Sequence, residues 1–239
     1  MPTSITNTSV TTDNLTVDTN TIHVDSTNNR VGIGTATPAY TLHSTTSSGS
    51  DYAGYFHNSS GSGNSTALVT RGGANNTGAG TFIVQDYNGN TDLMVDGVGH
   101  VTMPNQPGFS VRQLLQTGID CSSSGYVAFR HIHTQHFNTG NHFDSSTGRF
   151  TAPVTGNYIF GTTVRYDGFG GSYFYTSIYK NGQFYARDLK QQTGAYLHSS
   201  VHTIVNMSAS DYVYVELADS GDSSITIDND CNFYGYLLG

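Results

Sequence analysis

The stretch FDSSTGRFTAPVTGNYIF, residues 143–160, restricts the fold more than any other part of the chain, because it sets four aromatic side chains and two glycines at fixed intervals. Phe150, Tyr158 and Phe160 can each bury on the order of 150–250 Å², enough to anchor a sandwich core. Gly148 and Gly156 punctuate strands, and Pro153 suits a strand end or edge where no ladder donor is lost. The spacing therefore specifies a core and carries no chemistry. The remaining composition agrees. With one Glu (Glu216) and two Lys (Lys180, Lys190) in 239 residues, the chain lacks strong helix formers. Its 16 Tyr and 12 Phe, with Val and Ile in short runs between Gly, Asn and Asp, suit strands and turns, so an all-β protein is expected.

Two textures divide the chain. Between residues 13 and 103 the apolar residues come in pieces of three to five, separated by clusters such as STNN and GGANNTGAG. TIHVDSTNNRVGIGTATP and DLMVDGVGHVTMPNQP share one pattern: an apolar residue, any residue, Val, Asp, a turn, a second short strand, then Pro. Strands this short bury little surface alone. Three chains wound round a common axis would supply the missing core, although a small single-chain sandwich could use the same strands. From Phe109 the strands lengthen and alternate, as in Tyr173, Tyr175, Ser177 and Tyr179 against Phe174, Thr176, Ile178 and Lys180. Period-two alternation means one packed face and one wet face. Roughly nine strands in about 130 residues fit a two-sheet sandwich or jelly roll. The expected division is a β-rich shaft or anchoring region over residues 1–106 and a jelly-roll head over 107–239.

NRVGIGTATPAYTLH and DLMVDGVGHVTMPNQPGF resemble the repeat segments of bacteriophage tail fibres, where such segments form a trimeric β shaft or connector. Residues 107–239 resemble the globular head of complement C1q and its relatives in the tumour-necrosis-factor superfamily. Asn138, Phe143, Phe150, Gly156, Tyr158 and Phe160 fall at the positions of that family's signature. Ile132 and Thr162 stand where it has aromatic residues, and NFYGYLLG matches its closing strand. The resemblance implies a homotrimer. It also implies that Cys121 and Cys231 lie toward the same end of neighbouring strands, where a disulfide could form; a reducing cytoplasm favours free thiols.

Several function classes recede. A net charge of -8, with nine basic residues scattered singly, offers no stripe for a phosphate backbone, so no nucleic acid is expected. MPTSITNTSV has neither a basic end nor an apolar core, and no apolar run approaches membrane-spanning length; neither a secretory signal nor membrane insertion is expected. Catalysis is not expected, because a single Glu and turn-bound Asp residues make a poor pair of poised carboxylates. Two groups are candidate metal ligands. His131 and His133 could offer imidazoles to a transition metal, and Asp219, Asp222, Asp228 and Asp230 could offer oxygens to calcium. Satisfied strand histidines and solvated turns are the simpler readings, and no cofactor is expected. Tyr166, Asp167, Phe169 and Tyr173, around the RYDGFGGSYFY loop, are candidate ligand contacts, able to stack on sugars and bond hydroxyls.

Together these features point to a homotrimeric phage virion protein, assembled in the host cytoplasm, joined to other virion proteins by its N-terminal region and binding a host-surface glycan or protein through its head. The rivals are a capsid decoration, head fibre or tail component without a receptor, and a non-viral extracellular C1q-like recognition protein.

Overall fold

Alternation along SYFYTSIYK reads directly into structure. Phe174, Thr176 and Ile178 have no solvent exposure, while Tyr173, Tyr175 and Tyr179 point the other way. The computed structural model describes residues 14–17, 21–50, 52–57, 67–72, 75–121, 125–168, 172–191, 196–221 and 224–239. No helix occurs among them, and so none is long and apolar enough to cross a membrane.

The chain divides into two compact units between Thr70 and Arg71. In the first, β1 (Asn14–Val17), β2 (Ile22–Asp25) and β3 (Arg30–Ile33) pair antiparallel, and β4 (Leu42–Ser44) runs parallel to β3. The second opens with an antiparallel meander of β5 (Gly80–Gln85), β6 (Thr91–Asp96) and β7 (Val101–Thr102). The change of sequence texture at residues 106–107 falls inside this unit, between the meander and the sandwich. The repeated Asp is the acceptor that closes each turn. Asp25 Oδ1 accepts from the Asn28 N–H at 3.1 Å, and Asp96 Oδ1 accepts from the N–H groups of Val98 and His100, both at 2.9 Å. Asp86 closes the intervening turn in the same way, accepting from Asn88 and Asn90.

The sandwich strands are β8 (Gly108–Gln113), β9 (Gln116–Asp120), β10 (Tyr126–Val127), β11 (Ile132–Thr139), β12 (Phe143–Asp144), β13 (Arg149–Thr151), β14 (Gly156–Asp167), β15 (Tyr173–Lys180), β16 (Gln183–Gln191), β17 (Tyr196–Met207), β18 (Tyr212–Asp219), β19 (Ser224–Ile227) and β20 (Asn232–Leu237). The larger sheet has the order β11-β8-β20-β14-β19-β9, with β17 also paired to β14; the smaller has β12-β13-β18-β15-β16, with β10 on β18. The two sheets make a jelly-roll sandwich. The described residues form thirteen sandwich strands rather than about nine, because β10, β12 and β19 are short and β9 (QTGID) carries a single apolar side chain.

The two sheets meet on an aromatic cluster. Phe109 lies 4.7 Å from Phe143, 5.2 Å from Phe150 and 4.8 Å from Phe233 between ring centroids, and Phe150 lies 5.6 Å from both Tyr158 and Phe160. Register explains the glycine in NFYGYL. Gly235 pairs with Phe160 on one side and Phe109 on the other, and a Cβ there would meet their rings at 2.5 and 2.9 Å. Asn138 clamps the neighbouring strand, its Nδ2 donating to the Phe143 carbonyl at 2.8 Å while its Oδ1 accepts from the Phe143 N–H at 3.0 Å. Gly156 leaves room for Leu237, and the Tyr158 hydroxyl donates to the Val154 carbonyl. Thr162, where the signature has an aromatic, is fully buried with its hydroxyl donating to the Asn232 carbonyl. Ile132, the other departure, packs against the core. The turn DSSTG closes on Asp144, which accepts from Ser146 N–H, and Gly148 takes φ +70° where a Cβ would strike the Ala128 carbonyl.

Both cysteines are buried and unpaired, so no disulfide joins them. The Cys231 sulfur accepts from the Arg165 N–H at 3.1 Å, and the Cys121 carbonyl accepts from the Asp219 N–H. Burial pushes each thiol from 9.0 up to about 12.

Two outcomes follow from this core. Phe150→Ala is expected to lower unfolding free energy by about 3–5 kcal/mol, and Gly235→Ala by about 1–3 kcal/mol through ring displacement; urea unfolding followed by tyrosine fluorescence measures both. Because the folded thiols hold protons that the unfolded chain releases, their contribution is fully present below pH 9.0 and lost as pH rises toward about 12. The urea midpoint should therefore fall above about pH 9, less so in a Cys121→Ala, Cys231→Ala double variant. An aromatic disulfide reagent should label the thiols only after unfolding.

Candidate functional site

The signature residues Asn138, Phe143, Phe150, Gly156, Tyr158 and Phe160 are occupied with packing, so the functional surface lies elsewhere. Of the candidate ligand contacts, Tyr166 is a correction. It is 1% exposed and stacked on Phe174, and burial raises its phenol above the usual tyrosine range. It ends the inward series Tyr158, Phe160, Thr162, Val164 along β14 and cannot touch a ligand. Asp167 sits at the end of β14 opposite Tyr196 and Thr226, and Tyr173 is 40% exposed at the start of β15. Phe169 lies outside the described residues.

Among the described aspartates, Asp219 is not brought beside Asp228 and Asp230. Asp219 is buried on the inner face of the smaller sheet and accepts from the Gly221 N–H. Asp228 and Asp230 belong to the larger sheet's side, where Arg165 Nη1 lies 3.0 Å from Asp228 and 3.2 Å from Asp230, with Arg112 3.6 Å from Asp230. Asp222 lies outside the described residues. His131 is exposed just before β11; the register slips between Ile132 and Thr134, and the side chain of His133 lies outside what is described. Among the described residues no group of three or more His, Cys, Asp or Glu could hold a metal.

Two sheet faces stand out instead. On the outer face of the larger sheet, Tyr236, Ile159 and Ile204 form one cross-strand row over β20, β14 and β17, and the Phe137 ring lies 5.3 Å from Tyr236. Ile204 is 56% and Tyr236 43% exposed, too much apolar surface for a sheet face left in water. A cleft of about 390 Å³ lined by Met103, Pro104, Phe137 and Tyr236 extends the row. The next row is amphipathic. Tyr234 lies across Gly161, where a Cβ would meet its ring at 2.4 Å, and its hydroxyl pairs with His202 Nδ1 at 3.2 Å. Beyond it come Arg112, Asn232, Thr163 and Ser200. The face thus grades from apolar at one end to polar at the other.

On the outer face of the smaller sheet, aromatic and guanidinium groups interleave. Arg149 lies 4.3 Å over the Tyr212 ring, Tyr214 stacks on Tyr179 at 5.4 Å, and Arg187 lies 4.7 Å over Tyr175 and 4.8 Å over Phe184. Sequence reading found the alternation of β15 but neither which face is wet nor the partners of its tyrosines, which come from three other strands. The signal available was the second period-two series, Tyr212, Tyr214 and Glu216 in DYVYVEL.

Residues 109–238 match the C1q domain. Among solved structures, the chain is similar to the globular domain of zebrafish complement 1qA, at 17% identity over 56% of this chain and 98% of that one, with a TM-score of 0.45. It is also similar to murine APRIL, at 11% identity over 55% of this chain and 98% of that one, TM-score 0.43. A third similar structure is the Eiger TNF of S. frugiperda, at 8% identity over 56% of this chain and 94% of that one, TM-score 0.44. With more than half of its length matched to the C1q domain and the signature residues in the core, the chain belongs to the C1q domain family.

Proposed function

We propose that this chain is a non-enzymatic, homotrimeric virion fibre protein of a bacteriophage. Its C1q-type head recognises a host-surface ligand, and its N-terminal strands form the shaft that meets other virion proteins. One observation carries the reading: among the described residues, the buried apolar side chains other than Pro38 all lie between Phe109 and Phe233, while Ile33, Leu42, Phe56, Val69, Ile83 and Val101 before them are exposed. Strands with apolar side chains and no core of their own need other chains to cover them. C1q and tumour-necrosis-factor domains typically form trimers and serve as recognition modules, and the apolar row of Tyr236, Ile159 and Ile204 gives such a trimer its contact face.

Binding is the mechanism. Closed threefold symmetry leaves the loops at one end free, and three copies raise a weak affinity by avidity. A glycan is the favoured ligand class, since Asp167 and Tyr173 flank the segment GFGGS, and Phe169 and Tyr173 are able to stack on sugar rings while Asp167 and Ser172 bond their hydroxyls. Gold-labelled antibody against residues 107–239 should decorate tail appendages of intact particles in electron micrographs. Decoration spread over the capsid would contradict the fibre assignment and favour a capsid decoration protein.

A further inference from the structure

We propose that the outer face of the smaller sheet is a binding platform for a carboxylate-bearing polysaccharide chain, with Arg149 and Arg187 as its two anion anchors. The proposal rests on the reading of the head as a surface-recognition module and names the class of ligand it takes.

The chain has nine basic residues against 17 acidic ones, so carboxylate partners are not scarce. In the head, Arg112, Arg165, Lys180 and Lys190 each pair with an aspartate. Arg130 donates to the Ser146 carbonyl, and among the described residues Arg149 and Arg187 have no carboxylate pair either. Each is held over two aromatic rings instead: Arg149 at 4.3 and 5.5 Å from Tyr212 and Tyr214, Arg187 at 4.7 and 4.8 Å from Tyr175 and Phe184. The Arg187 Nε also donates to Ser177 Oγ at 2.9 Å, which fixes the plane of the guanidinium. The Arg187 side chain also hydrogen-bonds Tyr179, which Glu216 approaches as well, and the remaining N–H donors of the two guanidinium groups match carboxylate geometry.

Sheet register sets the spacing. Arg149, Tyr214, Tyr179 and Phe184 lie in one row across β13, β18, β15 and β16, and Glu216, Ser177 and Arg187 lie in the next. Three strand separations put the two arginine positions about 15 Å apart. Between them lie Tyr214, which is buried, Tyr179, which is half-buried, and Phe184, which at 54% exposure offers the ring face. A single small anion cannot bridge that span, whereas a saccharide of several units can place ring C–H faces on the aromatics and a carboxylate at each end. An acidic peptide would dock by adding to a strand edge through backbone hydrogen bonds, and a sheet face offers none.

The test uses the full-length protein and isothermal titration with three carboxylated hexasaccharides, oligogalacturonate, oligoalginate and oligosialate, alongside neutral maltohexaose and hexaglutamate. At least one of the three should bind saturably, and neither control should compete. Arg149→Gln and Arg187→Gln should each weaken that binding about tenfold, or about 1.4 kcal/mol, without moving the thermal midpoint. Phe184→Ala should weaken it as well, and Arg71→Gln, an equal charge change outside the sandwich, should leave it unaltered. The assignment is overturned if none of the three binds, if the Arg149→Gln, Arg187→Gln double variant binds like wild type, or if hexaglutamate binds as tightly. Particle labelling separates this result from the fibre reading: labelled appendages with no saccharide binding sink the platform alone, and saccharide binding with an unlabelled particle sinks the fibre assignment alone.

Discussion

The contact of Phe109 and Phe160 over Gly235 is the constraint on which the head depends. The two rings project from β8 and β14, which flank β20, and they can close over that strand only because it carries no side chain there. The resulting layer accepts Phe143 and Phe150 from the smaller sheet, and this is how the sheets are held face to face. Asn138 then ties the Phe143 backbone to β11, so the short β12–β13 hairpin is fixed without a long ladder of its own.

A core that consumes the inward residues of both sheets leaves two outward faces with different chemistry. The larger sheet presents Ile159, Ile204 and Tyr236, which gain by losing water. The smaller sheet presents arginines that sit over tyrosine rings. Contact with other copies of the chain suits the first face and contact with a polar ligand suits the second. In a trimer built on the first, the second stays in solvent.

Much of the head was legible because its information is local. Period-two alternation located β14, β15 and β18, and the spacing from Asn138 to Phe160 named the core. Carrying the same period from Tyr158 to Tyr166 places Tyr166 inside, and its assignment to a binding loop overlooked that. Other features were not legible because the partners are far apart in the chain. Asp228 and Asp230 look like free turn carboxylates until Arg165 and Arg112 are brought beside them. The arginine and tyrosine rows likewise join residues 149, 179, 187 and 214 through register alone. In the N-terminal region the Asp of the repeat was visible, and its role as turn acceptor became clear only from the backbone N–H groups it receives.

The central claim is that the row of Tyr236, Ile159 and Ile204 is covered by other copies of the same chain. Sedimentation equilibrium of the purified protein and of an Ile204→Asp variant tests it most directly. The account predicts a wild-type mass of three times 25.6 kDa at micromolar concentration and a shift of the variant toward 25.6 kDa with its β-sheet spectrum retained. A wild-type monomer, or a trimer unaffected by a buried charge at Ile204, would contradict it.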